Sequence, residues 1–154
     1  MRRYSLPLLL ATALAACTPT PGTERVTAGE SVDIASAGAQ LSVQRAQNGV
    51  VRPLGYSPAL QSAAEAHAQY LSRTGGFSHT GAGGSSAMSR VRRAGYQPCL
   101  VAENIARGQP DIRTLLSDWM ASPGHRSNIV NPQLTQYGFA QAGSVWVLVL
   151  ARPC

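Results

Sequence analysis

The chain contains no lysine; all 13 of its Lys+Arg positions are arginine. This bias says little about function. Charged residues of either sign make up only 13%, about half the usual share, so a coiled coil or a long solvated helix is not expected. No stretch of 18 consecutive apolar residues occurs, so no membrane-spanning helix is expected. Basic runs and basic patches interleaved with aromatics are also missing, which leaves no case for nucleic-acid binding despite a net charge of +6. No Gly-x-Ser-x-Gly surrounds any serine. Gly81-Ala82-Gly83-Gly84 lacks the Lys-Ser/Thr that would make it a phosphate loop. No acidic residue follows Asp118.

What is present points to a folded, exported protein. Hydrophobic residues reach 44% of 154 residues, enough for one globular domain plus a targeting segment. Arg2 and Arg3 precede an apolar run from Leu8 to Ala16, the build of a secretory signal. The run ends in Leu14-Ala15-Ala16-Cys17, which resembles a bacterial lipoprotein cleavage signal. That resemblance implies a signal peptide over 1–16, a lipidated Cys17, and partnership with a membrane through acyl chains. An outer-membrane or other cell-envelope lipoprotein is the expected location. Residues 17–40 are rich in Thr, Pro, Gly, Ser and Ala and read as a tether, followed by a domain over 41–154. With Cys17 assigned to lipid, Cys99 and Cys154 remain, and in an oxidising compartment they read as one disulfide. Such a bond closes a loop of about 56 residues and contributes about 4 kcal/mol.

Within the domain, a short helix is expected from Leu41 to Asn48. Ser57-Pro58 is an N-cap followed by proline at the first helical position. Leu60, Ala64, His67 and Leu71 then recur on one helical face up to Gly75-Gly76. Ser86 can cap a short helix ending near Gly95. Leu100 to Ala106 reads as a strand with Val101, Glu103 and Ile105 on one face. Asp111 caps a helix carrying Leu115, Leu116 and Trp119, which Ser122-Pro123-Gly124 breaks. Tyr137–Ala142 and Val145–Ala151 form a hairpin around Gly143-Ser144. The second strand is apolar on both faces and belongs in the middle of a covered sheet. The expected fold is α+β, a three-layer α/β/α sandwich around a mainly antiparallel sheet.

Three ordered motifs carry the functional signal. They are Phe77-Ser78-His79-Thr80, Ala102-Glu103-Asn104-Ile105-Ala106, and Trp119 through Ser122-Pro123-Gly124-His125-Arg126-Ser127-Asn128-Ile129. Together they resemble the bacterial branch of the CAP superfamily: the cysteine-rich secretory proteins, antigen 5 and pathogenesis-related proteins. The resemblance covers roughly residues 41–154 and implies the same sandwich. It also implies a His/Glu cleft that sometimes holds a divalent metal, with His79 and Glu103 matching its pattern. His125 belongs to the bacterial pattern, while a second glutamate and a histidine before the final hairpin have no counterpart here.

Two imidazoles and a carboxylate can hold zinc with a position left for water, so His79, Glu103 and His125 are the candidate metal and cleft residues. Without metal, a His–Glu pair can act as a general base and its orienting group. No residue is assigned a catalytic role outright. His67, on the apolar face of its helix, is expected to be a hydrogen-bonded core or cleft-edge histidine. Asn104 and Asn128 are expected to satisfy backbone groups, and Trp119 and Trp146 to be core. Arg126 is expected either to cover His125, to contact Glu103, or to be exposed. The resulting expectation is a non-enzymatic binding module of the envelope with a lipid, glycan or protein ligand. The alternatives are a metal-dependent or acid–base hydrolase of envelope peptides, and a structural lipoprotein with a vestigial cleft.

Overall fold

A computed structural model describes residues 33–154. The signal segment 1–16, Cys17 and the first part of the tether lie outside the described residues. The elements in chain order are α1 (Ile34–Gln47), β1 (Gly55–Tyr56), α2 (Pro58–Thr74), α3 (Ala87–Arg93), β2 (Pro98–Arg107), α4 (Ile112–Ala121), α5 (Pro123–Ile129), β3 (Gln136–Ala142) and β4 (Val145–Pro153). A single 3-10 turn over Ala82–Gly84 occupies the glycine-rich loop.

Local chemistry sets most boundaries. The Ser57 side chain accepts a hydrogen bond from Leu60 N–H at the start of α2, and Pro58 occupies the first helical position. Gly75 ends α2 in the left-handed conformation. The Ser86 and Asp111 side chains cap α3 and α4 in the same way as Ser57.

The helix expected from Leu41 begins earlier. Asp33 caps α1, which begins at Ile34. Residues 35–39 have the small side chains of a tether, but Ala37 and Gly38 are buried in the sandwich, and Tyr137 donates its hydroxyl to the Ile34 carbonyl. Small residues here allow close approach. Ser122-Pro123-Gly124 breaks α4 as expected, but it also opens α5, so His125 lies on a helix.

The sheet order is β1-β3-β4-β2. Strand β4 pairs antiparallel with both β2 and β3. The two-residue β1 runs parallel to β3, so the sheet is mixed. Side chains of β4 alternate between two cores. Val145, Val147 and Val149 pack with Leu60, Ala64, Leu71, Val91 and Ile105 beneath α2 and α3. Trp146, Leu148 and Leu150 pack with Leu41, Leu115, Trp119, Ile129 and Phe139 beneath α1, α4 and α5. Both tryptophans are core, as expected. A Cβ at Gly138 would stand 2.2 Å from the Leu60 and Gln61 backbone, so glycine there lets α2 rest directly on β3. Cys99 and Cys154 are bonded, with their Cα atoms 4.8 Å apart, tying the start of β2 to the end of β4.

Candidate functional site

Strand β2 lies at the edge of the sheet, and its residues alternate between the two faces. Glu103 shares its face with Val101 and Ile105, under α2 and α3. Its side chain is only 2% exposed. A carboxylate in such a place is costly unless paired, and three groups pair it. Arg90 of α3 places Nη2 2.6 Å from Oε2. His79 places Nδ1 2.9 Å from Oε1. His67 places Nε2 3.7 Å from Oε1.

The loop after α2 delivers His79. It turns at Gly75 and returns over the buried side of the helix, where His67 is fully buried. His67 Nε2 lies 3.0 Å from the Ser78 carbonyl. Its nearest polar neighbours on that side, this carbonyl and the Glu103 carboxylate, only accept, so Nε2 carries the proton. Burial pushes the His67 pKa down; Glu103 opposes this and Arg90 adds to it. His67 is therefore held neutral. Arg90 fixes the same loop from below, donating Nη1 to the Ser85 carbonyl at 2.7 Å and to the His79 carbonyl at 3.1 Å. Arg107 donates to the Gly75 and Gly76 carbonyls, and its guanidinium lies 5.5 Å from the Phe77 ring centroid. Gly81 closes the cluster: a Cβ there would stand 2.9 Å from Arg90 Nη1 and Ser85 Oγ and 3.0 Å from His67 Nδ1.

The result is a buried charge cluster with one exposed member. The His79 ring is 60% exposed while its Nδ1 is bound to Glu103. The carboxylate accepts, so in the neutral ring Nδ1 carries the proton and Nε2 is the bare nitrogen.

The opposite face of β2 is neutral. Asn104, fully buried, donates to the His125 carbonyl at 3.1 Å. Asn128 donates to Asn104 Oδ1 at 2.8 Å and to the Glu103 carbonyl at 3.4 Å. These are the backbone-satisfying roles expected of the two amides. They dock α5 on the Asn104 face. His125 is half-buried, its ring 6.1 Å from that of Trp119. Burial lowers its pKa, and the charge of His79 lowers it further. Arg126 is exposed and donates to Asn48 at 2.6 Å.

Of the three expected cleft residues, His79 and Glu103 therefore meet directly. His125 makes no hydrogen bond or ion pair with Glu103, because it rides on the helix that packs against the neighbouring residue's face. The second histidine beside Glu103 is His67. Arg90 had no signal in the sequence beyond three arginines on α3 with no acid among them. His67 had one, its place on the apolar face of α2. The residues as placed do not fit a three-ligand zinc centre. Both Glu103 oxygens are engaged, and among the described residues no group of three or more His, Cys, Asp or Glu is arranged to hold a metal ion.

The chain with this α/β/α sandwich belongs to the CAP family. It matches the cysteine-rich secretory protein (CAP) family over residues 42–146. It is 31% identical over 107 residues to YkwD, an uncharacterized protein of Bacillus subtilis, covering 68% of this chain and 41% of that protein. The chain thus spans less than half the length of this relative. Among solved structures it resembles an extracellular SCP-domain protein of Bacillus anthracis, with TM-score 0.73 and 23% identity over 77% of this chain and 40% of that one. It also resembles an outer surface protein of Borrelia burgdorferi, with TM-score 0.70 and 18% identity over 82% of this chain and 99% of that one. These neighbours lie outside the cell or on its surface. Among the described residues no helix is long and apolar enough to cross a membrane.

Proposed function

We propose that this chain is a non-enzymatic binding module of the cell envelope, anchored through a lipidated Cys17, whose ligand docks at the cleft edge formed by His79 and His125. The observation that carries this reading is the exposed His79 ring held by a buried carboxylate. A side chain fixed in one orientation loses little freedom on binding, which favours affinity. The buried Glu103–Arg90 pair supplies the support, and Nε2 offers one acceptor to a ligand.

A hydrolytic reading draws on the same pair. Glu103 orients His79 as an acid–base system orients its base, with water as the nucleophile, since among the described residues no serine or cysteine side chain hydrogen-bonds to the ring.

The test is NMR titration of the full chain with separate probes: zinc ions, a muropeptide, anionic phospholipid vesicles and a short peptide. At least one should shift the His79 and His125 ring signals, and His79→Ala should remove the response. Shifts confined to another part of the molecule would overturn the cleft reading. Product released from the peptide by the native chain and lost in His79→Ala would favour the hydrolase. Cys17→Ser should move the protein from the membrane to the soluble fraction.

A further inference from the structure

The backbone of β2 alternates as its side chains do, since both the N–H and the C=O of each residue point to one edge of the strand. Two observations fix which residues point outward. The Ala151 carbonyl accepts from Thr135 N–H on the β3 side, so the even residues of β4 face β2. Their partners are Ala102, Asn104 and Ala106, opposite Leu150, Leu148 and Trp146. Val101, Glu103 and Ile105 therefore turn their backbone groups to the outer edge, where Val101 is partly exposed while Glu103 and Ile105 are only 7% and 5% exposed, and Asn128 is found donating to the Glu103 carbonyl from that side. Among the described residues nothing else bonds to these six groups. Glu103 is 7% exposed as a residue but only 2% in its side chain, so what it shows to solvent is mainly backbone.

This edge runs between the two halves of the candidate site. His79 stands on the Glu103 face and His125 on the Asn104 face. The elements around it are basic. Residues 75–107 and α5 carry Arg90, Arg92, Arg93, Arg107 and Arg126 against one acid, Glu103, which is buried on Arg90.

We propose that the ligand of this cleft is an extended acidic peptide that adds to β2 as a fifth strand, bonding to the outward groups of Val101, Glu103 and Ile105 between the two imidazoles. The proposal rests on the cleft reading and supplies its ligand class. An unpaired strand edge is a ready template for such addition. Asn128 guards one carbonyl and must yield it to the incoming strand. Arg90 is neutralised by Glu103, and the exposed Arg92, Arg93, Arg107 and Arg126 favour carboxylate side chains.

The test is amide exchange, by NMR, on the full chain with a blocked heptapeptide of alternating Thr and Glu. Saturating peptide should slow exchange at Val101, Glu103 and Ile105 about tenfold or more, the scale of one hydrogen bond gained per amide. Ala102, Asn104 and Ala106, already in the ladder, should not change. The same peptide N-methylated at alternate residues should fail to bind. Val101→Pro removes one outward donor and no ladder bond, a place where a strand tolerates proline. It should weaken peptide binding with the fold retained by circular dichroism. His79 and His125 shifts without protection of the odd-numbered amides would overturn strand addition while leaving the cleft reading intact. Equal binding of the N-methylated peptide, or a lysine-for-glutamate peptide binding as tightly, would overturn the proposal as stated.

Discussion

Glu103 and Asn104 are neighbours on one strand, both buried, and they solve the cost of burial differently. Glu103 is ionic, bound to Arg90 and His79 with His67 behind. Asn104 is neutral, closing a chain of amides from Asn128 to the His125 carbonyl. The ionic side sits under a loop that it must hold in place, and it leaves an imidazole in water. The amide side joins a helix to a strand and exposes no reactive group beyond the edge of His125. A charge that must be paired orders its surroundings more strictly than an amide does, and that is the side on which the site is built.

The contrast predicts unequal costs. Glu103→Ala leaves Arg90 and its guanidinium buried without a counter-charge, so it should destabilise the fold by about 3–5 kcal/mol. Asn104→Leu strips a donor and an acceptor from neutral groups and should cost about 1–3 kcal/mol. Urea unfolding of the two variants checks the order, and equal losses would erase the distinction drawn between the faces.

The next effect is a pH dependence shared by both faces. His67 and His125 both have pKa values lowered chiefly by burial. The unfolded chain takes up their protons near the ordinary value of about 6.5, while the folded chain resists. Stability should be level above that pH and should fall as the pH drops through it toward the folded values. Unfolding midpoints between neutral and mildly acid pH read the slope, and His67→Gln should flatten it. The smallest effect on stability is expected from His79→Ala. Its ring is largely exposed, so the change should stay within about 0.5 kcal/mol.

Much of this was legible in the sequence, for identifiable reasons. Ser57-Pro58, Ser86 and Asp111 announce helices because capping is local chemistry. Val145 to Ala151 announces a covered central strand because both of its faces are apolar. The face of Glu103 follows from strand periodicity, and its pairing with His79 is what the family resemblance implies. Other features depend on packing between distant segments. The early start of α1 is hidden because Ala37 and Gly38 look like tether until Tyr137 is seen against them. The parallel β1 is too short to leave a pattern. Arg90 cannot be told from Arg92 and Arg93 by composition. That His125 makes no bond with Glu103 is hidden because its spacing in the chain says nothing about which face of β2 will receive α5.

The central claim is that a buried carboxylate fixes His79 with Nδ1–H inward and Nε2 bare toward solvent. Imidazole 15N NMR on the full chain at alkaline pH, where imidazoles are neutral, tests it directly. The account predicts a His79 spectrum dominated by the Nδ1–H tautomer, and loss of that preference in Glu103→Ala wherever the variant remains folded. A His79 dominated by the Nε2–H tautomer, or unchanged by loss of the carboxylate, would contradict it.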